Sequence, residues 1–249
     1  MKQEWRRDIC VADDVIAPNI IDNFNDLLLS QLKWDTDFGS GTSVLDNDLF
    51  ENREGNKVYE QFQFTCTQKL GNDEFRTGAS PVTHLIYLPL LNWCLFNNFS
   101  LRYNDISRCK VNVQTRAKMH GVDKYNLPHI DQVDYEPGQF AAIYYINDSD
   151  GDTYFFKEQA ETLLENMNKK DTDFFSNLTF KSRVTPKKGR LVVFPMNQIH
   201  AGSHPVEFNY RAVINYNFKM KYMPTREEKR KEYYELEVEP KINLKNLQK

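Results

Sequence analysis

The strongest constraint on this chain is the punctuation of its second half. From Arg108 onward, short β-branched and aromatic runs (CKVNVQTRA, QFAAIYYI, TYFF, NLTFKSRV, RLVVFP and RAVINYNF) alternate with turn signals such as EPG, NDSDGD and PKKG. Val, Ile, Tyr and Phe suit a pleated, half-buried surface, and closely spaced turns fold such runs back on themselves. The pattern predicts an antiparallel sandwich or barrel from Arg108 onward.

The flanking segments read as supports. From Pro18 to Lys33 the apolar positions Ile20, Ile21, Phe24, Leu27, Leu28 and Leu32 recur at three and four, which predicts an amphipathic helix with Pro18 in its first turn. Residues 35–80 are rich in Asp, Gly, Asn and Thr, and predict loops and short strands. PVTHLIYLPLLNWCLFNNF, from Pro81 to Phe99, is the most apolar stretch. It predicts one helix broken near Pro89, or two short ones, packed on a sheet. KEQAETLLENMNKK predicts a short helix between strands, and Thr225 with Glu228 a capping box opening a helical tail. The expected fold class is α+β, mainly β, in one domain over 1–249: helical and mixed support over 1–107, the β core over 108–219, and a tail over 220–249. A chain of 249 residues that is 40% hydrophobic can bury such a core.

Charge and apolar runs restrict the partners. A net charge of −3 supplies no overall basic field, which disfavours nucleic acid. No run of about eighteen uncharged apolar residues predicts a membrane span, and MKQEWRRDICVADD has no apolar segment behind its basic residues. The expectation is a soluble, cytoplasmic protein without a signal peptide and with no membrane partner. Cys10, Cys66, Cys94 and Cys109 are scattered without a CxxC pair, which fits reduced thiols. The oligomeric state is not legible.

The chemistry begins at LPHIDQ. In a strand, His129 and Asp131 at i and i+2 point to the same face, so both reach one ion. Composition alone supplies a His-x-Asp triplet in a fair fraction of chains, so the pair needs a third ligand. His200, which follows GRLVVFPMNQ, is the candidate, with His204 as the alternative four residues on. Two histidines and one carboxylate on one face form a facial triad suited to non-haem Fe(II). Arg211 opens the otherwise apolar RAVINYNF, where its planar, permanently charged fork suits a carboxylate.

The order His-x-Asp, strand, Gly-x-Thr-x-Phe, strand, PxxGxxxxF, His and a basic residue resembles the Fe(II)/2-oxoglutarate-dependent dioxygenases, in particular their prolyl-4-hydroxylase-like branch. The matching stretches are PHID at 128–131, IYYINDSDGDTYF at 143–155, VTPKKGRLVVFP at 184–195, and HAGSHPV with Arg211. Small oxygenases of this kind also occur in bacteriophage genomes. The resemblance implies a double-stranded β-helix, or cupin-like jelly roll, with N-terminal helices bracing the major sheet. It implies Fe(II) on His129, Asp131 and His200, 2-oxoglutarate on Arg211 with Thr153 as a further contact, O₂ as co-reactant, and stimulation by ascorbate. Arg211 stands where the prolyl-4-hydroxylase-like enzymes usually carry Lys, and His204 is an extra residue within the HAGxPV pattern.

Three functions compete on this reading: hydroxylation of a protein or peptide side chain of prolyl type, oxygenation of a free amino acid, another small molecule or a nucleobase, and a non-catalytic cupin-like binding module. RAVINYN lacks the Arg-x-Asn-x-Thr-x-Arg of the nucleobase demethylases, and a binding module is expected to lack a ligand. Several residues stay open. Asn112, Gln114 and Arg116 share one face of a strand and either line a pocket or form an exposed edge. Thr153 is a plain strand residue or a cosubstrate contact, and Tyr144 and Tyr145 are core, rim or cosubstrate aromatics. His120 lies in a loop and His84 in the apolar helix. Asp148, Asp150 and Asp152 alternate, but an EF-hand starting at Asp148 would meet Thr153 and Gln159 where it needs Gly and Glu. A tight turn is the better reading.

Overall fold

The computed structural model describes residues 8–31, 35–38, 62–70, 85–116, 125–126, 128–169, 174–175 and 177–223. Twelve strands and three longer helices are found there: β1 (Cys10–Ala12), α1 (Ile21–Gln31), β2 (Asp35–Phe38), β3 (Phe62–Leu70), α2 (Leu88–Phe96), β4 (Phe99–Ser100), β5 (Ile106–Thr115), β6 (Gln139–Tyr145), β7 (Thr153–Phe156), α3 (Ala160–Lys169), β8 (Phe180–Val184), β9 (Leu191–Pro195), β10 (His200–Gly202), β11 (Tyr210–Lys219) and β12 (Lys221–Tyr222).

The strands form two opposed antiparallel sheets. The major sheet runs β1-β9-β6-β11-β5-β3-β2 and the minor sheet β10-β7-β8, with β12-β4 as a separate pair. The chain passes from one sheet to the other after β6, returns at β9, crosses at β10 and returns at β11. This alternation produces a double-stranded β-helix.

Strand alternation sorts the side chains into three layers. On the outer face of the major sheet, Ala212, Ile214, Tyr216 and Phe218 of β11 join Ile21, Phe24 and Leu28 of α1 and Leu90, Trp93 and Cys94 of α2. Between the sheets lie Ile143 and Tyr145 of β6, Phe155 of β7, Val192 and Phe194 of β9, and Val213. Outside the minor sheet, Tyr154, Phe156 and Ala201 pack on Ala160 and Leu163 of α3. Each fully buried side chain of this kind contributes roughly 1.5–3 kcal/mol, so the helices are held by their apolar stripes. Polar contacts fix their position: Asn25 Nδ2 donates to the Ile146 carbonyl at 2.6 Å, and Tyr216 Oη donates to the Ile86 carbonyl at 2.5 Å.

Several expectations sharpen or change in detail. The apolar stretch forms two short helices, a 3-10 turn at 85–87 and then α2, with Pro89 in the first turn of α2, where a missing N–H costs no intrahelical bond. β3 is a nine-residue strand rather than a short one, and it pairs with β5 along its length. β5 therefore lies inside the sheet between β3 and β11, and the exposed-edge reading of Asn112 and Gln114 falls. β12 opens the segment assigned to the tail. His84, His120 and the capping box at Thr225 and Glu228 lie outside the described residues. Among the described residues, no helix is long and apolar enough to cross a membrane.

Candidate metal and cosubstrate site

The three candidate metal ligands are brought together by backbone pairing. His129 and His200 face each other across an antiparallel bridge, with His129 N donating to the His200 carbonyl at 2.9 Å and His200 N donating to the His129 carbonyl at 3.0 Å. Directly opposed residues in such a pair project their side chains to the same face. The rings accordingly approach to a centroid separation of 4.6 Å, and Asp131, two residues beyond His129, joins them. One ligand atom from each of His129, Asp131 and His200 lies within 4.8 Å of the others.

Electrostatics favour the ligating forms. His200 is 4% exposed against Phe194, and its Nδ1 is hydrogen-bonded to the Gln198 carbonyl at 3.0 Å, which assigns the proton to Nδ1 and leaves Nε2 as the lone pair. Burial, with His129 close by, lowers its pKa to about 4, so the ring is neutral at pH 7. Burial works against the Asp131 charge, but the neighbouring positive charges outweigh it and hold the carboxyl below the usual range. The groups that do this are His200, Arg108 and His129, and Arg108, the permanent cation among them, has its Nη1 3.2 Å from Asp131 Oδ1. Two imidazoles and an ionised carboxylate on one face fit a divalent transition ion with open positions.

The second cluster centres on Arg211 of the major sheet and reaches across to Thr153 of the minor sheet. Arg211 is 4% exposed; Nη1 donates to Gln114 Oε1 at 2.9 Å and Nη2 donates to Thr153 Oγ1 at 2.8 Å. Tyr145 Oη also donates to Thr153 Oγ1, at 2.7 Å, and the guanidinium carbon lies 5.6 Å from the centre of the Tyr145 ring. Thr153 Oγ1 thus accepts twice and keeps its own hydroxyl hydrogen to donate. These contacts are all to neutral groups, Asp152 acts on the guanidinium only as a longer-range charge, and Arg211 Nε, buried, has no hydrogen-bond partner. A buried cation without a paired anion is costly, so the arrangement has the character of a seat for a carboxylate. The fit around the arginine is close: a Cβ at Gly151 would lie 2.9 Å from Arg211 Cδ and 2.6 Å from the Ser203 carbonyl oxygen.

The candidates now separate. His200 stands in the metal cluster, whereas His204 turns away, its Nδ1 bonded to the Thr115 carbonyl at 3.0 Å. Thr153, Gln114 and Tyr145 converge on Arg211, while Tyr144 faces the outer core and donates to Asn25 Oδ1. Arg116 lies just past the end of β5 and grips the Phe208 carbonyl and Asn209 Oδ1 instead of the pocket. The aspartate run anchors loops: Asp150 accepts backbone N–H groups of Val206 and Glu207, and Asp148 that of Lys188. Sequence reasoning missed Arg108 and Asn217. Strand parity would have found Arg108, which shares the face of Asn112 and Gln114, and Asn217, which shares that of Arg211.

The jelly roll thus brings two histidines and a carboxylate together where His129 bridges to β10 of the minor sheet, a donor set that suits a non-haem metal ion. Residues 115–219 match the family model of the 2OG-Fe(II) oxygenase superfamily. No curated protein is significantly similar to the chain in sequence. Among solved structures it is similar to the non-haem α-ketoglutarate-dependent carbocyclase SnoK from nogalamycin biosynthesis (TM-score 0.55, 10% identity, covering 92% of this chain and 87% of that one). It is also similar to an oxidoreductase of the 2OG-Fe(II) oxygenase family from Burkholderia pseudomallei (TM-score 0.52, 11% identity, 87% and 86%). HygX from Streptomyces hygroscopicus, solved with nickel and 2-oxoglutarate bound, gives a TM-score of 0.51 at 13% identity, covering 86% and 83%. At these identities the likeness is one of fold.

Proposed function

We propose that His129, Asp131 and His200 hold Fe(II), that Arg211 and Thr153 bind the far carboxylate of 2-oxoglutarate, and that the enzyme hydroxylates an unactivated C–H bond. The observation that carries this reading is the coexistence of a tight two-histidine, one-carboxylate cluster and a buried arginine without a paired anion, on facing sheets of one jelly roll. Bound iron supplies the oxidative chemistry, in which 2-oxoglutarate becomes succinate and CO₂ as one oxygen atom enters the substrate. The chain supplies geometry. The backbone bridge sets the separation of the imidazoles, Arg108 keeps Asp131 ionised, and Arg211 with Thr153 fixes the far end of the cosubstrate. Phe155 and Phe194 flank His200 and exclude water from its side of the ion.

For the substrate, the motif order favours a prolyl-type peptide side chain. One observation favours a small polar molecule instead: beyond the Arg108–Asn217 pair, the inner faces of β5 and β11 carry Lys110 and Asn215, paired in register, where a pyrrolidine ring would be better served by apolar walls.

The test uses the full chain. Without oxygen, Fe(II) and 2-oxoglutarate should give a visible metal-to-ligand charge-transfer band, and admitting oxygen should release succinate. Well-folded protein that does neither is not this enzyme. Peptide and metabolite panels, screened by mass spectrometry for gain of one oxygen, then decide between the substrates.

A further inference from the structure

The contacts of Asp131 carry more than the ionisation of its carboxyl. A carboxylate binds a cation through one oxygen or through both. A facial triad leaves three positions of an octahedral ion, and a chelating 2-oxo acid with O₂ fills all three. A second Asp131 oxygen on the ion would compete for one of them.

The two oxygens are held differently. Oδ1 accepts Arg108 Nη1 at 3.2 Å. Oδ2 is the oxygen facing the histidines, 4.0 Å from His200 Nε2. The Asn217 amide, oriented by its surroundings with nitrogen toward the carboxylate, donates to Oδ2 at 3.3 Å. Arg108 and Asn217 are themselves direct cross-strand partners of β5 and β11. One registered pair on the major sheet therefore grips both oxygens of a ligand that belongs to the opposite side of the barrel. The grip is largely shielded, with the Arg108 side chain 27% and the Asp131 side chain 11% exposed, so solvent weakens it less than a surface pair.

We propose that Arg108, backed by Asn217, is a positioning residue that occupies Oδ1 of Asp131, reserves Oδ2 for the metal, and so keeps the position needed for cosubstrate chelation open. The proposal rests on the iron-binding role of the triad. It differs from a role in holding metal, since the arginine restrains the ligand instead of strengthening it. It also differs from a role in reading substrate, since its effect is already present before any substrate binds.

Arg108→Met tests this, because methionine keeps an unbranched apolar stem and removes the donors. In anaerobic titrations we expect the variant to bind Mn(II) at least as tightly as the parent. Its 2-oxoglutarate dissociation constant should rise about tenfold, with a shifted or weakened Fe(II) charge-transfer band. Arg108→Lys, which restores a cation and a donor, should recover part of both. Arg211→Ala is the contrast: it weakens 2-oxoglutarate binding but leaves the band shape at saturation unchanged. Parent-like cosubstrate affinity and band in Arg108→Met would overturn the proposal, and so would loss of Mn(II) together with 2-oxoglutarate. If Arg108→Met does not fold, Arg108→Gln undergoes the same titrations and is judged by the same outcomes. A parent protein that shows no band with Fe(II) and 2-oxoglutarate would count against the oxygenase function itself.

Discussion

At the arginine end of the site, a buried guanidinium is held by Gln114 and Thr153, neutral groups that orient it without neutralising it. At the metal end, the charge of Asp131 is already answered by Arg108, and the two imidazoles beside it have their separation set by reciprocal backbone bonds. The first end is a preorganised cation whose hydrogen bonds all go to neutral groups. The second is a preorganised set of metal donors. The contrast teaches where cooperativity should lie: the metal end has three groups that act on one centre, whereas the arginine end distributes one carboxylate over several separable bonds. Loss at the metal end should be close to all-or-none, and loss at the arginine end graded.

The largest expected effect follows at once. Asp131→Ala or His200→Ala should abolish succinate formation and the charge-transfer band together, while the fold, monitored by far-ultraviolet circular dichroism, persists. Single variants should be nearly as inactive as the double, since groups acting as a unit are strongly non-additive. Stepwise losses that add independently would break the comparison at its metal end.

Arg211→Ala comes next. Removing two charge-assisted bonds to a carboxylate, each worth about 1.5–3 kcal/mol, should raise the 2-oxoglutarate requirement by about 100-fold or more. Fe(II) affinity measured without cosubstrate should stay near normal. An Arg211→Ala protein that loses iron as well would mean that the two ends are not separable.

How much of this was legible in the sequence differs between the two ends for physical reasons. His129 and Asp131 are two residues apart, so strand parity alone places both on one face, and β-branched runs with turns announce the sheets. The apolar spacing of Ile21, Phe24 and Leu28 likewise announces the helix that covers the outer face. The partners of Arg211 and Asp131 come from elsewhere in the chain: Gln114 lies on β5, and the Arg108–Asn217 pair depends on the register of β5 against β11, with more than a hundred residues between them. No local pattern encodes register across such a gap. Arg116 shows the converse, since it shares the parity of Gln114 yet sits beyond the last residue of β5 and is free to turn to the loop at 207–209. Pro89 is legible for a local reason: its missing N–H suits the first turn of a helix, and α2 begins at Leu88 after a separate 3-10 turn.

A smaller, pH-dependent effect separates the ends in the metal-free protein. His200 has a folded pKa of about 4, below its ordinary value near 6.5. Between those values the unfolded chain binds more protons than the folded one, so stability rises with pH. The contribution is full above about pH 6.5 and is lost as the pH falls toward 4, with a limiting slope of about 1.4 kcal/mol per unit. Urea unfolding in chelator at pH 7 and pH 5 should show the loss, and His200→Asn should flatten it. Arg211 remains charged across this window and contributes no such slope. A slope unchanged in His200→Asn would assign the titration to another group.

The smallest effect is expected from Tyr145→Phe, and it is the sharpest test of whether the arginine end is graded. The phenol donates to Thr153 Oγ1 at 2.7 Å, and Arg211 Nη2 donates to the same oxygen. Removing the phenol leaves Thr153 still held by the arginine, and the ring itself stays beneath the guanidinium. One neutral hydrogen bond out of several is worth about 1 kcal/mol, so 2-oxoglutarate affinity should fall by about fivefold, with metal binding unchanged. Thr153→Val should cost more, because it removes the oxygen on which both donors converge and leaves them unsatisfied in a buried site. If Tyr145→Phe were instead as damaging as Arg211→Ala, the tyrosine, threonine and arginine would act as one cooperative unit, and the two ends would obey the same rule.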